Sequence, residues 1–102
     1  METSTLFKPF KLGRTLITMG AKDAVPHWRV LECLNRHSKG DWGNVCKEDA
    51  EQNCIATQEG LRVLSAYAIN PTLPAQGHGE NCFWIITEAS RESTTVLLPV
   101  EY

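Results

Sequence analysis

His37, Tyr67 and Arg91 are the residues of this chain whose types suit acid–base chemistry on a phosphate. Without a metal, that chemistry needs a base, a cation facing the phosphoryl oxygens, and an acid. His37 has the side chain for the first role, Arg91 for the second, and Tyr67 or Tyr102 for the third. The arrangement requires His37 and Arg91 to meet on one sheet face together with Ser65 or Tyr67. Asp41 and Trp42 follow His37 within RHSKGDWG, residues 36–43. A carboxylate beside a histidine at a helix end orients a base or helps bind a ligand. The simpler role is a histidine that hydrogen-bonds the Asp41 corner and holds the turn.

A second group surrounds a later turn: Glu88, Arg91, Thr94 and Thr95. An arginine with hydroxyls at a sheet end can hold a phosphate or a developing oxyanion. The plainer alternative pairs Arg91 with Glu88 across the turn and leaves the threonines as strand formers. His78, between Gly77 and Gly79, would serve a recognition loop or sit in a solvated connector. The candidate binding residues are therefore Asp41, Trp42, Glu88, Arg91, Thr94 and His78. Cys33 and His37, four apart on a helix, would both reach a zinc ion, with Cys46 or Cys54 completing the set. These spacings match no standard zinc pattern and Cys33 falls on an apolar stripe, so buried thiols are expected, with no metal and no cofactor. The chain contains no P-loop, dinucleotide fingerprint or nucleophile elbow.

Elements must bring these side chains together. Residues 82–102, CFWIITEASRESTTVLLPVEY, read as two strands folded on each other. Cys82, Trp84 and Ile86 alternate with Phe83, Ile85 and Thr87, and residues 89–93 form a polar connector of hairpin length. Apolar residues on both faces put this hairpin inside a sheet. Residues 12–18 read as a first strand, and residues 21–25 add about one helical turn before Pro26. Val30, Cys33, Leu34 and His37 then mark one helical face, which Trp28 and Leu31 widen. Asp41-Trp42-Gly43 is a compact corner, with Trp42 plugging the gap between two helices. A second, weakly apolar helix follows, with Glu48 and Asp49 in its first turn and Gly60 at its end. Residues 61–69 are a central strand, and the Pro/Gly-rich residues 70–81 a long loop. The order predicts an α+β fold, β-α-α-β-β-β, with a mostly antiparallel sheet of about four strands and two helices on one face.

The totals set the frame. A chain of 102 residues makes one domain over 1–102, with residues 1–11 a polar arm docking loosely through Leu6, Phe7 and Phe10. Hydrophobic content of 42% and charged content of 22% are ordinary for a globular protein. A net charge of −2 gives no basic footprint, so nucleic acid is not the favoured partner. No signal-peptide core or membrane-length apolar run is present, and four cysteines without export imply reduced thiols and a cytoplasmic setting.

Several stretches together resemble one family: LGR at 12–14, RHSKGDWG at 36–43, LSAY at 64–67, WIITEASR at 84–91 and TTVLLPVEY at 94–102. It is a family of small bacterial proteins found on plasmids, prophages and other mobile elements. Some members carry the label type I restriction endonuclease subunit M, for which this sequence gives no support. The resemblance spans about residues 12–102. It departs at Ser90, where the family usually has Asp, and at Val100, where it usually has Glu. It implies a mobile-element setting without an established activity. The order of elements also resembles RelE/ParE-type toxins, of the barnase–RelE group of small nucleases, on order alone. Two functions follow as expectations. The first is a non-enzymatic accessory protein that binds a host or defence-system macromolecule, a protein rather than nucleic acid, with inhibition of that partner as one form the binding would take. The second is a small metal-independent RNase using His37, Arg91 and Tyr67. A homodimer is open in either case.

Overall fold

A computed structural model describes residues 7–102. The elements are β1 (Arg14–Ile17), α1 (Met19–Ala24), α2 (His27–Ser38), α3 (Lys47–Glu59), β2 (Val63–Tyr67), β3 (Phe83–Thr87) and β4 (Ser93–Leu97), closed by a 3-10 turn at Pro99–Glu101. The fold is α+β, with a four-stranded sheet in the order β1-β4-β3-β2. The β2–β3 and β3–β4 pairs are antiparallel, and β1 runs parallel to β4. The hairpin expected within residues 82–102 is present, with Trp84 opposite Leu97 and Thr87 opposite Thr94, though Ser93, expected in the connector, already opens β4.

Strand alternation divides the sheet into two faces. Tyr67, Phe83, Ile85 and Val96 form the inner face and pack with Ala21, Val25, Val30 and Cys33 of the α1–α2 segment. Two features of the helical layer differ from the expected order. Residues 19–24 are a distinct helix, too short to persist in isolation. Thr18 caps it, accepting from Ala21 N, and Glu101 reaches over from the 3-10 turn. The Glu101 carboxylate accepts from Thr18 Oγ1 (2.5 Å), Gly20 N (3.2 Å) and Leu98 N (2.8 Å). Secondly, Trp28 and Leu31 do not widen the buried stripe of α2: they are 60% and 54% exposed. Arg29 takes the inner flank instead. Its Nε donates to Ala68 O and its guanidinium pairs with Glu32, so the buried head is satisfied while its stem packs.

β2, expected from the sequence to be a central strand, is instead one edge of the sheet, and the two edges are treated differently. Beside β2, Ala66 N donates to Trp42 O (3.1 Å) and Asn44 N donates to Ala66 O (2.6 Å). The residue between, Gly43, has φ 74°, and a Cβ there would lie 2.0 Å from Ala66 O, so only glycine fits. Farther along the same edge, Asn53 of α3 donates to Leu64 O and accepts from Leu64 N. Thus α3 lies against the β2 edge, and backbone groups that would otherwise invite another strand are occupied. At the opposite edge every residue of β1 is exposed.

Phe7 and Phe10 of the N-terminal arm are half-buried over Trp42, with ring centroids 6.1 and 6.3 Å from it, and Lys8 N donates to Thr57 Oγ1. Leu6, the third expected anchor, lies outside the described residues. The 70–81 loop is tied by Asn81, whose side chain bonds the backbone of Asn70, Leu73 and Pro74, and by Trp84 Nε1 on Gly77 O. Among the described residues no helix is long and apolar enough to cross a membrane.

Candidate functional site

His37 ends up fully buried under α2, facing the sheet. Its Nδ1 lies 2.5 Å from Ser65 Oγ and its Nε2 2.8 Å from Thr87 Oγ1. Thr87 Oγ1 is in turn 2.7 Å from Thr94 Oγ1, which donates to Leu12 O at 2.7 Å. These bonds fix the direction of the whole row, because each hydroxyl has one hydrogen. Thr94 spends its hydrogen on Leu12 O, so it must accept from Thr87. Thr87 must then accept from His37 Nε2–H, which leaves Nδ1 as the acceptor of the Ser65 hydroxyl. The imidazole is neutral, in a single tautomer, and bonded at both nitrogens.

Its surroundings favour that state. Burial first, and the nearby Arg91 charge second, push His37 down from 6.5 to about 4. Phe10 and Trp42 meet its ring edge-on at 5.5 and 5.7 Å. Phe10 also carries the Arg91 guanidinium over its face at 5.3 Å, so the arm residue lies between the two candidate catalytic groups. His37 thus lies beside Ser65 with Arg91 across Phe10, whereas Tyr67 bonds the Asp41 corner instead, and each group is already engaged.

Arg91 sits at φ 64°, an unusual conformation for a non-glycine residue. Its guanidinium donates to Leu61 O (2.7 Å), Glu88 O (3.0 Å) and Ala56 O (3.1 Å). Ala56 belongs to the last turn of α3, so Arg91 joins that helix end, where positive charge is favoured, to the β3–β4 turn. It uses the Glu88 carbonyl, whereas pairing with the Glu88 carboxylate was the plainer expectation; that side chain is exposed. The Tyr67 hydroxyl donates to Asp41 O (2.7 Å), and burial raises its pKa well above the usual phenol range. Thr94 is buried within the relay.

The Asp41 corner forms as expected, with Gly43 N donating to Asp41 Oδ1. Its carboxylate does not orient His37. Arg36 holds it at 2.7 and 3.2 Å and keeps the Asp41 pKa below the ordinary carboxylate value. His37 points inward, whereas Arg36 lies one residue round the helix, toward the corner. Trp42 is 5% exposed beneath Phe7 and Phe10, and its Nε1 is buried without a hydrogen-bond partner among the described residues. His78 is exposed and lines a cleft of about 510 Å³ with Cys46, Asp49, Leu64 and Trp84. Tyr102 stands apart from the relay on the outer face, edge-on to Trp84 and bonded by Arg62.

Chemically, the row can orient α2 on the sheet and keep one imidazole neutral. A substrate has no approach to His37, Ser65 or Tyr67, all of them at 0% exposure. Cys33 lies on the same helix, buried, with its thiol pushed up to about 11 by burial. Cys33, Cys46, Cys54 and Cys82 are free, and among the described residues no three His, Cys, Asp or Glu side chains gather to hold a metal. Sequence reasoning named His37, Ser65 and Tyr67 but missed Thr87 and the role of Phe10. A signal for Thr87 was present: it alternates onto the face of Phe83 and Ile85, where a hydroxyl needs a polar partner. Comparisons with protein-family models, curated proteins and solved structures find no match.

Proposed function

We propose that this protein is a non-enzymatic binding protein that engages a macromolecule of its host or of a host defence system and inhibits it by occupying it. One observation carries the reading: the acid–base groups are turned inward while Trp28 and Leu31, one helical turn apart on α2, face solvent at 60% and 54% exposure. Exposed tryptophan beside leucine on a rigid helix is the composition of an interface anchor rather than of a solvated face. The mobile-element resemblance of the sequence supports a host or defence-system protein as the partner, and the net charge of −2 favours protein over nucleic acid.

The second reading, a metal-independent RNase of barnase–RelE type, is favoured by the neutral His37 beside Ser65 with Arg91 near it. It needs the Phe7–Phe10 arm to leave the site and the Arg91 guanidinium to leave three carbonyls.

Affinity capture from host lysate, divided into nuclease-treated and untreated halves, separates the two. The binding reading expects a stoichiometric protein partner that survives nuclease and is lost from a Trp28→Ser/Leu31→Ser variant of unchanged melting temperature. Trimmed RNA without a protein partner, abolished by His37→Ala, would overturn it.

A further inference from the structure

The fold closes one sheet edge and leaves the other open, and the open edge is complementary to itself. Arg14 N donates to Glu92 O and Thr18 N to Val96 O, so the even-numbered backbone groups of this strand point toward β4. By alternation, the N–H and C=O of Thr15 and Ile17 point away from the sheet. Nothing between Arg14 and Ile17 discourages pairing: there is no proline, glycine or bulge, and the side chains are exposed. Leu16 and Ile17 are 42% and 40% exposed, and Met19 and Val100 near the strand's end are 76% and 87% exposed.

We infer that a second copy of this chain occupies this edge, β1 against β1, antiparallel about a two-fold axis through Leu16. This goes beyond the binding reading above and does not depend on it. Three observations select the second copy and its register. First, two outward residues on each strand can both bond only when Thr15 faces the other copy's Ile17. Centring the axis on Thr15 or on Ile17 gives one of them Gly13 or the helical Met19 as its partner. Second, this register makes Leu16–Leu16 the non-hydrogen-bonded pair, the closer of the two pair types, so the exposed leucines bury each other. Third, it sets Arg14 opposite the other copy's Thr18, whose hydroxyl is held by the Glu101 carboxylate at 2.5 Å. Arg14 and Glu101 have no ionic partner within the chain among the described residues. Arg14, Leu16 and Thr18 share one face of the strand, so the opposite charges meet on the same side. The two four-stranded sheets then join as one. A four-residue edge is a small interface, at the weak end of specific association.

Sedimentation velocity on the full chain, from about 1 to about 500 µM at low and high salt, tests this. The wild type should pass from monomer to dimer across that range and dissociate more readily at high salt. Leu16→Lys places two ammonium groups face to face, and Arg14→Glu places two carboxylates together. Each should weaken the dimer at least about tenfold while leaving circular dichroism and melting temperature unchanged. Monomer throughout the range would overturn the proposal and leave the edge to a strand of another protein. A dimer indifferent to both substitutions would also overturn it, because the contact would then lie elsewhere.

Discussion

Acidification should act on this fold through one residue before any carboxylate responds. In the unfolded chain His37 titrates near 6.5, and in the fold it is pushed down to about 4 by burial and then by the Arg91 charge. Between those values the unfolded state carries a proton that the native state does not, so stability falls as pH falls. At about 1.4 kcal/mol per pH unit between these two values, the full effect is about 3 kcal/mol, of which about 2 is already lost at pH 5. Asp41 and Glu101 also have lowered pKa values, held by Arg36 and by Thr18 respectively. Their contributions persist above the unfolded carboxylate range and fade only below it, so pH 6.5 to 5 isolates the histidine. Urea unfolding at half-unit steps from pH 7.5 to 4.5, with His37→Gln beside the wild type, is the assay. The wild-type free energy should decline through this window and the variant should be nearly flat. A His37 ring resonance titrating near 6.5 in the folded protein, or parallel slopes for the two proteins, would refute the derived tautomer and its sealed setting.

Thr87→Val leaves the imidazole Nε2–H without an acceptor and should cost about 1–3 kcal/mol in chemical unfolding, whereas a mutation at exposed Thr72 should cost almost nothing. Arg91→Ala removes the guanidinium from three carbonyls and should destabilise by about 2 kcal/mol. Arg91→Gly makes the same deletion at φ 64° but relieves the backbone, so it should be the more stable variant by on the order of 1 kcal/mol. Either Arg91 change removes a positive charge from near His37 and should raise the histidine pKa, which a ring-proton titration reads directly. Trp42→Ala opens a void under Phe7 and Phe10 and should cost on the order of 3–5 kcal/mol; a melting curve matching the wild type would show that the arm does not cover it.

The hairpin was legible because its alternation is strong: Phe83, Ile85 and Thr87 fall on the inner face as their spacing required. The Asp41–Gly43 corner was legible for a local reason, an Asx side chain followed two residues later by a glycine. What escaped depended on distance along the chain. A helical stripe shows which residues are apolar, not which flank has a carbonyl in reach, so Arg29 displaced Trp28 and Leu31 from the interior by finding Ala68 O. The six residues of α1 carry too little periodicity to mark a helix, and Glu101, which clasps its start, is 81 residues away in sequence from Gly20. The site divided in the same way. His37, Arg91 and Tyr67 could be named from chemistry, but only His37 and Arg91 come near one another, on either side of Phe10, while Tyr67 ends β2 far from the Leu61 carbonyl that Arg91 holds. Their partners are backbone carbonyls of Leu61, Ala56 and Asp41 and hydroxyls on neighbouring strands, and these become neighbours only through a strand order that periodicity does not encode.

The parallel contact of β1 with β4 has a consequence for how the protein is made. A ribosome releases Arg14–Ile17 early, yet the strand that pairs with it, Ser93–Leu97, and the carboxylate that fastens α1 are translated only after every other element. Until then the first strand and short helix wait without these partners. Completion is therefore a late, long-range event, of the kind that slows folding and exposes an adhesive edge to whatever else is in solution. Slowing translation between β1 and β4 should lengthen that exposure.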